Sequence, residues 1–299
     1  MTAPLIAFLG IGLMGKPMCL RLHAAGFSVS AWNRTPAKAE KLRASGIRPC
    51  LTLADAVQGA AVVISMLQDG AAVDHTLQAA AGSLAPGAVW IDMSSTQHGE
   101  ALSFQRQLEQ TGCRFIDAPV SGGVAGAQAG SLAIMAGGAV DDYARVAPLL
   151  SAMGTPTLVG PAGSGQVAKL CNQLIVGGTL NIVAEALLLA QAAGADPEAV
   201  RAAIRGGFAE SRILDVHGQR MLDRNFIPGG QVKSQLKDLR NVLVAARDVG
   251  LVLPVTALVA EHYESLAAAH PRADHCAALL ALEQLNPGHR LGLGPDQLP

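Results

Sequence analysis

The chain has no appreciable excess of either charge: Lys plus Arg is 22 against Asp plus Glu at 23, a formal net charge of -1 over 299 residues. Without a global positive field it has no electrostatic footprint for nucleic acid or an anionic membrane surface, and neither is expected as a partner. It lacks a CxxC pair. Cys19, Cys50, Cys113, Cys171 and Cys276 lie far apart with no zinc spacing, and they read as buried thiols in a reducing compartment. No basic n-region with a cleavage site precedes the first apolar run at Leu5. The longest apolar stretches are interrupted, as at Asn181 and Glu185, and fall short of a bare membrane span. The expectation is a soluble, cytoplasmic protein. There is no G-x-S-x-G elbow, P-loop lysine or metal-ligand cluster, which disfavours serine hydrolase, nucleoside triphosphatase and metalloenzyme readings, so no metal is expected. No repeat of solenoid period occurs either.

Half of the residues are hydrophobic, and 299 residues exceed the usual size of a single core, so two domains are expected. In the first part, short β-branched runs alternate with Ala-rich helical segments: "PLIAFLG", "FSVSAWNR", "AVVISML", "AVWIDMS", "CRFIDAPV", "GSLAIMAGG" and "TPTLVG". Such alternation predicts a mostly parallel sheet covered by helices, an α/β Rossmann-type domain over residues 1–162. After Gly160 the texture turns helical. A long helix begins at "GSGQVAKLCNQ" and ends near Gly194, and Asp196, Pro197 and Gly206 supply the cap, first residue and stop of the next. Residues 163–299 are expected to form an all-α domain joined through that long helix, with one weak strand candidate, "LVL", and a frayed tail, "NPGHRLGLGPDQLP".

"GIGLMG", residues Gly10, Ile11, Gly12, Leu13, Met14 and Gly15, lies between a strand and a helix, with a second strand ending about twenty residues on. In that context the glycines serve a tight turn, backbone approach to a pyrophosphate, and close helix–sheet packing. The second strand ends in Asn33, Arg34 and Thr35 rather than a carboxylate. Asn and Thr hydrogen-bond without adding negative charge, and Arg can hold a 2′-phosphate, so NADP(H) is favoured and NAD(H) allowed. Met66 and Leu67 end another strand and read either as a cofactor cover or as core. Ser94, Ser95 and Thr96 of "DMSST" either orient a nicotinamide or cap the helix toward Glu100.

Ser121, Gly122 and Gly123 of "DAPVSGG" offer a hydroxyl and unobstructed backbone donors, suited equally to a carboxylate or to a tight loop. Lys169 shares a helix side with Asn172 and Gln173, among apolar neighbours, and is read as either a surface charge or a catalyst. Lys237 and Arg240 of "KDLRNVL" face either a cleft or solvent. His217 and His275 are further acid/base candidates with no assigned partner.

Taken together, "FLGIGLMGKPM", "DMSST", "DAPVSGG", "GSGQVAKLCNQ" and "KDLRNVL" resemble, in order and over almost the whole chain, the motifs of the β-hydroxyacid dehydrogenase family. Within the family, "AIRGG", "MLDRNF" and "ADHCAAL" look most like the tartronate semialdehyde (2-hydroxy-3-oxopropionate) reductases, with departures at "FAESR", including Arg212, and at Gly230 and Gln231. The resemblance implies reversible NAD(P)H-dependent reduction of tartronate semialdehyde to glycerate. Dehydrogenation of 3-hydroxyisobutyrate, L-threonate or another small β-hydroxyacid is the alternative within the family, and a non-catalytic cofactor-binding module the alternative outside it. It implies Lys169 as the catalytic residue, Ser121, Gly122, Gly123 and Asn172 on the substrate, Thr96 beside the nicotinamide and Lys237 closing on cofactor or substrate. It also implies a homodimer or homotetramer in which helical domains pair.

Overall fold

A computed structural model describes residues 4–299. The chain divides into two compact units, Met1–Lys169 and Leu170–Pro299. In the first, strands β1 (Leu5–Leu9), β2 (Ser28–Trp32), β3 (Arg48–Pro49), β4 (Val62–Ser65), β5 (Val89–Asp92), β6 (Arg114–Asp117), β7 (Val120–Ser121), β8 (Leu132–Gly138) and β9 (Gly154–Gly160) form one sheet. Its order is β3-β2-β1-β4-β5-β6-β8-β7, with β9 beside β8. The strands from β3 to β6 run parallel, and β8 is antiparallel to both β6 and β7.

Alternate residues of the parallel strands enter separate cores. Ile6, Phe8, Ile64 and Ile91 pack on one face, and Ala7, Leu9, Val63 and Trp90 on the other. Helices cover both faces: α1 (Gly15–Ala24), α2 (Pro36–Glu40), α3 (Leu53–Val57), α4 (Gly70–Ala80), α5 (His98–Gln110), α6 (Gly123–Ala129) and α7 (Val140–Ser151). Two buried faces explain why the strands read as unbroken apolar runs instead of alternating ones. "CRFIDAPV" is not one strand: the ladder breaks after Asp117 and resumes at Val120, where Pro119 lacks an N–H to continue it.

Helix α8 (Ser164–Ala192) starts in the first unit and continues into the second. By length and apolarity it is sufficient to cross a membrane, contrary to the sequence reading. Its Leu180, Val183, Leu187 and Leu188 lie instead in the core of the second unit. That unit is helical: α9 (Pro197–Ile204), α10 (Arg212–Leu222), α11 (Val232–Asp248), α12 (Pro254–Ala269) and α13 (Ala278–Leu285). Asp196 caps α9 through the Glu198 amide at 3.0 Å, and Ser211 caps α10 through the Leu214 amide at 3.0 Å. "LVL" forms no strand and leads into α12.

The C-terminal segment is not frayed. Leu291 is fully buried, and Phe226 N donates to Gln297 O at 2.9 Å. Arg224, 1% exposed, bonds both oxygens of Glu283 at 2.7 and 2.9 Å, Asp296 at 2.5 Å and the Leu291 carbonyl at 2.8 Å. A buried guanidinium thus anchors residues that composition alone reads as loose.

Candidate active site

Strand order reverses between β1 and β4, and ligands of open α/β sheets lie at such a switch point, beyond the carboxyl ends of the strands. Gly10 to Gly15 follow β1, and Met66 and Leu67 follow β4 at this place. Gly10, at φ 106°, has no room for a side chain: a Cβ would lie 2.3 Å from the Met66 carbonyl oxygen. A Cβ on Gly15 would lie 1.9 Å from the Gly10 carbonyl oxygen, whereas one on Gly12 would meet nothing within 4 Å. Two glycines therefore close the loop on itself and on β4, and the third leaves an open approach to backbone amides. Leu13 is exposed and Met14 half-buried.

The Asn33 side-chain carbonyl accepts from Ile11 N at 2.9 Å, and its amide donates to the Thr35 carbonyl at 3.1 Å. Its amide group is thus engaged in bracing the glycine loop. Arg34 and Thr35 are exposed, as is Lys38 on α2, a basic group that the sequence reading did not single out. Met66 and Leu67 are half-buried against the two cores, and Leu67 N donates to Ser94 Oγ at 2.9 Å.

At the next strand ends lie two buried carboxylates that the sequence reading did not select. Asp92 and Asp117 are paired in register on β5 and β6. Asp92 Oδ1 accepts from Ser65 Oγ and Ser94 Oγ, each at 2.7 Å, while Oδ2 has no hydrogen-bond partner among the described residues. Burial pushes its carboxyl up to about 7 against the pull of these hydroxyls, and nearby Asp117 adds to the rise. Burial likewise raises Asp117 to about 6, opposed by the Gly163 and Gln166 amides that donate to it at 2.7 and 2.8 Å.

These contacts bring "DMSST", "DAPVSGG" and the start of α8 together. Gln166, fully buried, accepts from Thr96 N at 3.0 Å and donates to the Ser94 carbonyl at 2.8 Å. Lys169 lies one turn further along α8 and is buried. Thr96 is buried with its hydroxyl lacking a hydrogen-bond partner among the described residues. Neither Ser94 nor Thr96 pairs with Glu100, whose carboxylate accepts from Gln97 N at 2.7 Å. Ser121 is half-buried, and Gly122 and Gly123 are exposed at the start of α6.

Within the helical unit, Asn172 donates to Gln173 Oε1 at 2.8 Å, and Gln173 donates to Asp238 Oδ2 at 2.7 Å. Lys237 is 3.3 Å from Asp238 Oδ1. The chain Asn172–Gln173–Asp238–Lys237 links two of the sequence motifs through the Asp238 carboxylate. Arg240 pairs with Glu264 at 2.9 Å, and both are exposed. Arg212 is exposed at the first position of α10.

His217 and His275 approach to 3.3 Å through their Nε2 atoms, next to fully buried Asp274. Together the three side chains are near enough to hold a cation. Asp274, however, already accepts from Gly229 N, Gly230 N and Cys276 N at 2.7, 3.1 and 3.1 Å, and Arg220 stands 3.6 Å away. A carboxylate so occupied and so close to a guanidinium reads as a packing hub of the helical unit. Its carboxyl is held well below the usual range: the His217 bond and the His275 and Arg220 charges outweigh burial, the largest and opposing influence.

Residues 5–163 match the model for the NAD binding domain of 6-phosphogluconate dehydrogenase. Residues 163–282 match that described as NAD-binding of NADP-dependent 3-hydroxyisobutyrate dehydrogenase. The chain is 40% identical to 2-hydroxy-3-oxopropionate reductase of Escherichia coli (strain K12), over 96% of its own length and 99% of that protein. The chain belongs to the β-hydroxyacid dehydrogenase family. Other members differ in substrate: 2-(hydroxymethyl)glutarate dehydrogenase of Eubacterium barkeri is 30% identical over 94% of this chain and 95% of its own. A solved structure of Mycobacterium tuberculosis 3-hydroxyisobutyrate dehydrogenase with L-serine superposes with a TM-score of 0.88 at 31% identity, covering 94% of this chain and 99% of the other. As a β-hydroxyacid dehydrogenase the protein is an NAD(P)-dependent oxidoreductase. The open face at Gly12 and the partnerless buried Thr96 hydroxyl fit a dinucleotide along the strand ends.

Proposed function

We propose that this β-hydroxyacid dehydrogenase reduces tartronate semialdehyde (2-hydroxy-3-oxopropionate) to glycerate, reversibly and with preference for NADPH, using Lys169 as the proton donor. The observation that carries the reading is the setting of Lys169: 8% exposed, one helical turn after Gln166, whose side chain is bonded to both Ser94 and Thr96. Similarity to the E. coli reductase over nearly the whole of both chains supports the substrate. The absence of a carboxylate at the end of β2, with Arg34 and Lys38 exposed there, supports the 2′-phosphorylated nucleotide.

A bound nicotinamide dinucleotide supplies the hydride. The remaining steps belong to the chain's own groups. As the aldehyde carbon is reduced, negative charge develops on its oxygen; the Lys169 ammonium stabilises that charge and gives a proton, completing the alcohol. In reverse, the Lys169 amine takes the alcohol proton. The Ser121 hydroxyl and the Gly122 and Gly123 amides suit the distant carboxylate, Asn172 suits the substrate hydroxyl, and Lys237 serves an anionic group of cofactor or substrate.

Helical units of two copies are taken to pair through α8, where Ile175, Ile182 and Leu189 are exposed at seven-residue intervals on one side of the helix. A compartment such as the cytoplasm, which maintains NADPH, suits the proposed reaction.

The test is a steady-state panel of tartronate semialdehyde, 3-hydroxyisobutyrate and L-threonate, each with both nucleotides in the appropriate redox state. The expected result is the highest kcat/KM for tartronate semialdehyde with NADPH, and a loss of about 10²–10⁴ in rate for Lys169→Ala. Preference for another acid overturns the substrate. Near-normal turnover by Lys169→Ala overturns the proton donor, and NADPH binding without turnover on any compound points to a non-catalytic module.

A further inference from the structure

Helix α8 begins without a cap of its own. Val167 N donates to the Gly163 carbonyl, which makes Gly163 the residue whose side chain would ordinarily satisfy the first-turn amides. A glycine has none to offer, and none fits: φ is 88°, and a Cβ would lie 2.7 Å from the His98 ring. The missing acceptor comes from the sheet. Asp117, at the end of β6 and 46 residues upstream, accepts from Gly163 N through Oδ1 at 2.7 Å and from Gln166 N through Oδ2 at 2.8 Å. A carboxylate there also complements the positive end of the helix dipole.

Close packing reinforces this clamp. A Cβ on Gly137 would lie 2.6 Å from Asp117 Oδ1, and one on Gly165 would lie 2.3 Å from the Met135 carbonyl and 2.8 Å from Asp117 Oδ2. Gln166 adds a second tie, its amide bonded on one side to Thr96 N and on the other to the Ser94 carbonyl. The first turn of α8 is therefore fixed both to β6 and to the turn after β5. Lys169 follows Gln166 by three residues, about 4.5 Å along the axis and on the same side of the helix.

We propose that Asp117 and Gln166 are positioning residues for Lys169: Asp117 caps α8 from the sheet, Gln166 ties it to the Thr96 turn, and the lysine is thereby held at a fixed place. The inference rests on the assignment of Lys169 as proton donor. It assigns to the aspartate of "DAPVSGG" a function separate from the substrate contacts of the serine and glycines that follow. It also explains why glycine is needed at 165, where the close neighbour is the sheet. Asp117→Asn leaves one acceptor and introduces a donor, so either the Gly163 amide at the cap or the Gln166 amide in the first turn loses its partner and the helix start shifts. A misplacement of about 1 Å at a reacting group costs about 10²-fold in rate.

The experiment compares wild type, Asp117→Asn, Lys169→Ala and the double variant by single-turnover hydride transfer between the nucleotide and the best substrate of the panel, in the direction that substrate allows. NADPH affinity is read from nucleotide fluorescence. Asp117→Asn is expected to slow hydride transfer by about 10²-fold in wild type and less than about threefold in the Lys169→Ala background. KM and NADPH affinity should each change by less than about threefold. Gln166→Met, which leaves the Asp117 clamp in place and removes only the ties to Ser94 and Thr96, is expected to show the same dependence on Lys169. It also serves if Asp117→Asn does not fold. Equal slowing in both backgrounds, with Lys169→Ala itself impaired, overturns the positioning role and leaves the proton donor standing. Lys169→Ala at wild-type rate overturns both.

Discussion

The Asn33 side-chain carbonyl accepts a hydrogen bond from the Ile11 amide at 2.9 Å, tying the end of β2 to the glycine loop. Under the proposed NADPH preference, the end of β2 that meets the ribose is thus also a strut for the glycine loop. Asn33→Asp keeps the acceptor for Ile11 N and the shape, gives up the 3.1 Å bond to the Thr35 carbonyl, and adds negative charge beside exposed Arg34. Like charges brought together cost several kcal/mol, so kcat/KM with NADPH is expected to fall about 10²-fold while NADH is affected little or improved. Parallel steady-state measurements with the two nucleotides check this; an equal loss with both would mean that the strut, not the charge, had been damaged.

The glycine loop was legible because its chemistry is local: strand, three glycines and helix lie within twenty residues. The parallel sheet was legible from its apolar runs for a related reason, since each strand is buried on both faces by helices adjacent in sequence. Asp117 and Gln166 escaped notice because their partners lie 46 to 72 residues away, and an aspartate ending an apolar strand looks like an ordinary turn residue. A carboxylate inside such a run, in "VWID" and "RFID", was the available signal. Arg224 hid the order of the C-terminal tail in the same way, through acceptors 59 to 72 residues away.

Asp92 and Asp117 set a pH dependence of stability. Burial raises their folded-state values to about 7 and about 6, above the ordinary carboxylate range near 4. From about pH 4 up to about 7 for Asp92 and about 6 for Asp117, the native state therefore binds more protons than the unfolded one, and stability falls as pH rises, by up to about 1.4 kcal/mol per pH unit for each group within its window. Asp274 acts in the opposite sense, its contribution being lost as pH falls below the ordinary carboxylate range. Asn at position 92 keeps an acceptor for Ser65 and Ser94 and carries no charge. Urea titrations at pH 5 and pH 8 should show Asp92→Asn gaining on wild type at the higher pH; parallel pH profiles would contradict the raised value.

Gly165→Ala tests the close approach of α8 to the sheet. The added methyl would lie 2.3 Å from the Met135 carbonyl oxygen, and neither backbone can yield without moving Asp117 or the helix start. Overpacking of this kind costs about 1–3 kcal/mol, and the displaced first turn carries Lys169 with it. Urea denaturation should show that loss, and kcat should fall about 10²-fold. Gly82, just after α4 and with nothing within 4 Å of its Cβ position, is the control, where alanine should cost neither stability nor turnover.

Arg224→Met should be among the most destabilising single changes in the helical unit. Removing the guanidinium leaves the Glu283 and Asp296 carboxylates facing each other in a partly buried site and deletes the bond to the Leu291 carbonyl. Breaking a buried ion pair from one side costs about 3–5 kcal/mol. Because the lost contacts anchor the segment around Leu291 and Gln297, limited proteolysis should cut that segment first in the variant, before any global unfolding. Wild-type resistance in the tail after substitution would assign the anchoring to Leu291 burial and the backbone bonds of Gln297 with Phe226 and Arg224.

Ile175, Ile182 and Leu189 are exposed by 60, 62 and 69%, a stripe along α8 opposite the positions that fill its own core. Apolar side chains exposed at seven-residue intervals on a helix otherwise packed in its unit are what a pairing face between two copies would present. Ile182→Glu places a charge in the middle of that stripe without touching Leu180, Val183 or Leu187, which are buried on the other side. If the stripe pairs two copies, sedimentation or light scattering should show the variant as a smaller species than wild type, with the monomer fold intact by circular dichroism. An unchanged mass would remove α8 from the interface. A wild type that is already monomeric would remove the pairing itself and leave the stripe to another partner.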